Sequence, residues 1–223
     1  MPANSEPNFI AVEGVIGVGK TSFARLLAEK VGATLELDDG YENPFLKDFY
    51  RNRERHAFTT QLYFLLSRFR RLQALRTRDL FAERIVSDYL FQRDALFASV
   101  TLSDIELKLY EKIVPIMERD VPAPDLVIYL QASTDVLMSR IRKRDIKSER
   151  QIDRDYIERL GEAYNYFFFH YTETPLLVVK TDHIDFVGEP DHLADIVEQL
   201  NHPIHGKRYY SPPPGVELDY GSE

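Results

Sequence analysis

The stretch Asn8 to Thr21, NFIAVE-GVIGVGKT, decides the fold. Its first six residues are a short apolar run, and the next eight match G-x-x-x-x-G-K-[ST] at every fixed position. Glycines at 14, 17 and 19 let successive backbone N–H groups turn inward around phosphate oxygens, and a helix starting at Lys20 adds its positive end. Lys20 then reaches the β- and γ-phosphates, and the Thr21 hydroxyl is a ligand for Mg²⁺. Gly14, Val15, Ile16, Gly17, Val18, Gly19, Lys20, Thr21 and Ser22 are therefore the expected nucleotide-binding residues. From Lys20 to Val31, Phe23, Leu26, Leu27 and Val31 recur at helical spacing, which completes a strand, loop and helix unit.

Working outward, apolar runs at 34–37, 85–87, 126–130 and 176–179 read as further strands. Between them, helical periodicity covers about 56–78, 103–117, 134–144, 153–171 and 191–200, and Ser103 with Glu106 three residues on forms a capping box. Apolar strands alternating with helices define an α/β domain with a parallel sheet covered on both faces. Ligands in such folds bind beyond the carboxyl ends of the strands. The organisation expected is a polar tail over 1–7, a domain over 8–200 with a basic segment at about 140–152, and an extended Pro-punctuated tail over 201–223.

Bulk composition narrows the function. The chain has 223 residues, 28 Lys+Arg against 36 Asp+Glu, and a formal charge of −8, which disfavours broad nucleic-acid binding. Residues 140 to 150 depart from that balance, with six basic and two acidic side chains. With no cysteine there is no disulfide or thiolate metal site, and a reducing cytoplasm is the expected compartment. No apolar run reaches the roughly 18 residues of a membrane span. His202 and His205 lack a third ligand nearby, so no metal is expected there. The aromatic run Tyr164 to Tyr171 reads as a core helix or as a helix–helix surface between two copies.

A phosphate loop identifies a bound nucleotide and not a reaction. The order of four further stretches, YENPFLKDFY at 41–50, QLYFLLSR at 61–68, SDYLF at 87–91 and RIRKRD at 140–145, resembles the deoxynucleoside kinases. The similarity runs from about Phe9 to about Leu200 and looks closest to the bacterial deoxyadenosine/deoxyguanosine kinase branch. The resemblance implies a P-loop kinase fold with a parallel five-stranded sheet, transfer of the ATP γ-phosphoryl group to a deoxynucleoside 5′-hydroxyl with Mg²⁺, a purine acceptor with deoxyadenosine first, and a homodimer built through helices.

It also implies roles for individual residues. Asp38 takes the place of the acidic residue that accepts the 5′-hydroxyl proton, with Asp39 competing for the assignment. Tyr50 and Glu149 correspond to groups that bind the 3′-hydroxyl, and Gln61, Arg68 and Asp94 to groups at the base, with Asp94 read equally as a helix-surface residue. Asp88, with Thr21, corresponds to the Mg²⁺ site. Arg140 and Arg144, four apart on one helical face, correspond to lid arginines over the donor phosphates. Tyr89 stands where the family has an arginine, so Arg93 or Arg84 is expected to supply that charge. Two other readings share the loop: a thymidylate-kinase-like monophosphate kinase, and a catalytically silent nucleotide-binding module.

Overall fold

A computed structural model describes residues 7–38, 40–75, 84–186 and 189–212. Six parallel strands form one sheet in the order β2-β3-β1-β4-β5-β6. These are β1 (Phe9–Glu13), β2 (Thr34–Glu36), β3 (Ile85–Ser87), β4 (Leu126–Gln131), β5 (Leu176–Lys180) and β6 (Lys207–Tyr210). The helices are α1 (Lys20–Val31), α2 (Leu46–Arg51), α3 (Arg53–Leu75), α4 (Arg93–Thr101), α5 (Asp104–Glu118), α6 (Thr134–Arg144), α7 (Arg154–His170) and α8 (Pro190–Glu198). The capping box at Ser103 is present, with Glu106 Oε2 accepting the Ser103 backbone N–H at 2.9 Å.

β1 lies between β3 and β4, and all five of its residues are buried, as a strand covered by helices on both faces requires. Registers such as Ala11 with Ser87 and Ala11 with Val127 bring the ends of β1, β3 and β4 to one edge. The loop after β1 therefore opens at the carboxyl edge of the sheet, where the strand order reverses direction.

The expectation of five strands is corrected to six. β6 comes from the stretch taken as an extended tail, and it pairs in parallel with β5, Leu176 opposite Lys207 and Val179 opposite Tyr210. Unpaired, that edge of β5 would leave backbone groups without partners. Arg208 braces the strand by donating to the carbonyls of Gln199 and Pro203 at 3.0 and 2.9 Å, and Tyr210 packs on the core. Four residues with two cations carry little apolar periodicity, so this strand is visible only through its partner. The expected tail residues 1–6 and 213–223 and the end of the long helix at 76–78 lie outside the described residues.

Candidate active site

The phosphate loop has its conformation because of its glycines. Gly14 sits at φ +152°, where a Cβ would lie 2.4 Å from the Leu130 carbonyl oxygen, and Gly17 at φ +88°, where it would lie 2.8 Å from the Leu137 carbonyl oxygen. Side chains at either position would push the loop off β4 and α6. Val15 and Val18 face inward and are buried, which fastens the loop, while Ser22 is exposed in the first turn of α1. Lys20 Nζ donates to the carbonyls of Gly14 and Val15 at 2.7 and 3.1 Å. Burial, with help from nearby Arg93, brings its pKa down to about 7, against the opposing pull of Glu13 and Asp88.

Opposite the loop, a cleft of about 830 Å³ open to solvent is walled by Thr21, Asp38, Tyr50, Gln61, Arg68, Asp88, Arg93, Arg144 and Glu149. Residues as far apart in the chain as Thr21 and Glu149 thus converge on one opening. Asp38 follows β2, and its backbone N–H donates to Asp88 Oδ1 at 2.7 Å. Asp88 Oδ2 in turn accepts the Thr21 hydroxyl at 2.5 Å, so the ends of β2 and β3 are tied to α1.

Two arginines hold the Asp38 carboxylate. Arg68 Nη2 and Arg93 Nη1 both reach Oδ2, at 2.7 and 2.8 Å, and Arg68 Nε reaches Oδ1 at 3.3 Å. Burial alone would raise the Asp38 pKa, but the two guanidinium groups outweigh it and hold the carboxyl at about 2. It is a weak base and a strongly oriented hydrogen-bond acceptor. The second candidate carboxylate, Asp39, lies outside the described residues.

Arg68 also pairs with Asp94 Oδ1, behind the cleft wall. Burial pushes Asp94 up to about 6 despite that partner, and its Oδ2 accepts no hydrogen bond among the described residues. Gln61 is oriented by Thr101. That hydroxyl donates to the Phe97 carbonyl at 2.7 Å, so it receives the Gln61 Nε2–H at 3.3 Å and leaves Gln61 Oε1 without a protein partner among the described residues. Phe64 and Phe97 line the same part of the cleft, with the Arg68 guanidinium 4.9 Å from the Phe64 ring centre.

Of Arg93 and Arg84, Arg93 is the one that lines the cleft. Arg93 is buried in the cleft wall, with Nη2 donating to the Asp88 carbonyl at 3.0 Å. Arg84 instead reaches the Val31 carbonyl at 3.5 Å, at the far end of α1. Tyr89 is fully buried in a second apolar cluster with Leu65, Leu72 and Tyr110, so its side chain points away from the cleft.

The basic segment divides. Arg144 lines the cleft and donates to both oxygens of Glu149 at 2.6 Å. Arg140, one turn earlier, stays out of the cleft. Its guanidinium donates to the carbonyls of Val18, Thr181 and Ile184 at 3.1, 2.8 and 2.9 Å, fastening the phosphate loop to the turn after β5. Spacing places the two arginines on one face, but carbonyls available only in the folded chain capture the first. Sequence reading also missed Glu13, a fully buried carboxylate at the end of β1, because a single acid in an apolar run carries no motif.

A phosphate loop at the switch point of a parallel sheet, facing a polar acceptor cleft, defines a small-molecule P-loop phosphotransferase. Residues 10–205 match the family model described as deoxynucleoside kinase. The chain is 35% identical to a deoxyguanosine kinase of Bacillus subtilis, covering 88% of this chain and 99% of that protein. It is 30% identical to a deoxyadenosine kinase of Lactobacillus acidophilus, covering 86% and 94%. A solved structure of deoxyadenosine kinase from M. mycoides with bound dCTP superposes with a TM-score of 0.75 at 26% identity, covering 86% of this chain and 98% of that one. The chain belongs to the deoxynucleoside kinase family, whose members are ATP-dependent phosphotransferases. The monophosphate-kinase and silent-module readings are accordingly not favoured. Among the described residues no helix is long and apolar enough to cross a membrane.

Proposed function

We propose that this enzyme phosphorylates the 5′-hydroxyl of purine deoxynucleosides in nucleotide salvage, with the residues of the cleft in the following roles. The observation that carries the reading is the placement of Asp38, a carboxylate held by two buried arginines in the same cleft as the phosphate loop. ATP lies with its phosphates on Gly14 to Thr21, and Lys20 and Arg144 neutralise charge on the transferred group. Asp38 accepts the hydrogen bond of the 5′-hydroxyl and aims its oxygen at the γ-phosphorus. Phosphoryl transfer has a loose transition state, so orientation by a weakly basic carboxylate suffices, and the proton leaves late.

Mg²⁺ fits the donor set. The Thr21 hydroxyl and the Asp88 carboxylate are adjacent hard oxygens, the type that Mg²⁺ takes together with water and phosphate oxygens. Bound there, the ion would neutralise phosphate charge. Arg93 supplies the cation that Tyr89 does not, beside the attacking oxygen. Tyr50 and Glu149 receive the 3′-hydroxyl. Arg140 acts one step back, by holding the loop rather than a phosphate.

At the base, Gln61 Oε1 is an acceptor in need of a donor, which the amino group of adenine or guanine provides. The names of the relatives, deoxyguanosine and deoxyadenosine kinases, support a purine. Deoxyadenosine, the first choice of the branch resemblance, and deoxyguanosine are the acceptors to compare. We place the enzyme in the cytoplasm, acting as a homodimer through α4 and α7, where Tyr166 and Phe169 stand more than two-thirds exposed beside a groove lined by Leu96, Phe167 and Tyr171.

The test is incubation with Mg·ATP and a panel of deoxy- and ribonucleosides plus thymidylate, followed by product separation. A purine deoxynucleoside 5′-monophosphate as the main product is the expected result, and labelling of thymidylate alone would overturn the reading.

A further inference from the structure

The strand that feeds the phosphate loop ends in a charge. Phe9 to Val12 are apolar and buried, and Glu13, the next residue, is 0% exposed. An ionised carboxylate taken out of water costs several kcal/mol unless it is paired and hydrogen-bonded, so a residue kept for packing alone would be apolar here.

Glu13 instead meets groups from four parts of the chain. Oε2 accepts the N–H of Gly14, the first residue of the phosphate loop, at 2.9 Å and the Tyr164 hydroxyl of α7 at 3.2 Å. Oε1 accepts the Leu90 N–H at 2.8 Å and lies 3.0 Å from Arg93 Nε. The remaining nitrogens of Arg93 are directed at Asp38 Oδ2 and the Asp88 carbonyl. The contacts close into a ring: Glu13 to Arg93, Arg93 to Asp38, Asp38 through its N–H to Asp88, Asp88 to Thr21, and back along the loop to Gly14 and Glu13.

We infer that Glu13 is a positioning residue that sets the donor loop and the acceptor carboxylate in register, by pinning Arg93 from the side away from the cleft. A guanidinium is planar, and it binds a carboxylate best by two parallel N–H bonds. The Asp88 carbonyl takes Nη2 and the Glu13 carboxylate draws the Nε side of the guanidinium by charge, so Arg93 presents Nη1 alone to Asp38 and not a fork. Without Glu13, Arg93 turns to take Asp38 in bidentate fashion and draws the carboxylate off the acceptor hydroxyl. Glu13 does not line the cleft, so it acts through the groups it holds, of which Gly14 and Arg93 belong to the loop and the cleft wall.

This inference rests on the reaction proposed above. The experiment is a double-mutant cycle with Glu13→Gln, Arg93→Gln and the pair, reading kcat and nucleoside KM with Mg·ATP. Turnover is expressed per nucleotide-binding site, counted by ADP titration, so that loss of folded protein does not register as loss of kcat. Glu13→Gln is expected to lower kcat about tenfold or more with ADP affinity changed about threefold or less, and the double variant to be no slower than Arg93→Gln. A kcat within about twofold of the wild type, or losses that multiply in the double variant, overturns the inference. If Glu13→Gln does not fold, Glu13→Asp keeps the charge and withdraws it by one methylene, and the same non-additivity with Arg93→Gln decides. A wild-type enzyme inactive on every deoxynucleoside would instead overturn the underlying reaction.

Discussion

The donor and acceptor ends of the cleft are built in opposite ways. The proposed donor end is eight consecutive residues whose backbone would do the binding, and its shape is fixed by glycine conformations and by Val15 and Val18 anchored in the core. The acceptor end has no contiguous sequence. It is assembled from side chains after β2 and β3 and on α3, α4 and the turn after α6, and it is held by ion pairs that cross 30 and 55 residues of chain. A backbone cradle is specified locally and tolerates change in the side chains around it, whereas a network of buried charges depends on every member.

The largest effect that sharpens this contrast belongs to Lys20, the phosphate-loop side chain proposed to act by charge. Lys20→Met is expected to lower kcat by about a thousandfold while the fold persists, checked by turnover beside thermal melting. Equal loss of melting temperature would make Lys20 a structural residue. Next in size is Arg68. Arg68→Met leaves Asp38 and Asp94 facing each other with one buried cation fewer, and a loss of about 3–5 kcal/mol in stability is expected from denaturant titration. A loss confined to KM would break the claim that the acceptor end stands or falls as a unit.

Two smaller effects follow from titration. Lys20 titrates at about 7 in the unliganded enzyme, so above that pH it is mostly neutral, and bound phosphates restore its charge. Nucleotide binding at pH 8 should take up about one proton, and little at pH 6, as read from calorimetry in buffers of different ionisation enthalpy. Affinity accordingly weakens as pH rises. Asp94 is the acceptor-end counterpart. Its folded pKa, about 6, lies above its ordinary value of 3.8, so between these values the native state binds more protons than the unfolded one. Its contribution therefore falls as pH rises from about 4 to 6, and Asp94→Asn should flatten the stability profile in that window. An unchanged slope would contradict it.

The same contrast governs what sequence can tell. β1, the phosphate loop and α1 are legible residue by residue because each signal is local: an apolar run, glycines at fixed spacing, a helical period. Asp38, Gln61, Arg68 and Asp88 can be placed in the cleft by resemblance, and the structure brings them there. Arg93 over Arg84 is not readable, since both flank β3 and only the fold turns one toward Asp38. Arg140 was expected on the phosphates, yet three carbonyls from distant loops hold it elsewhere. Glu13 and β6 share the reason for being missed, which is that their partners lie far along the chain and no periodicity announces them.

The central claim is that Asp38 serves the acceptor end alone, on a donor end that works without it. The measurement is kcat and Mg·ATP affinity of Asp38→Asn beside the wild type, with deoxyadenosine and deoxyguanosine as acceptors. A fall in kcat of about a hundredfold or more, with ATP affinity unchanged, is the predicted result. Turnover near that of the wild type, or an ATP affinity that falls in step with kcat, would contradict it.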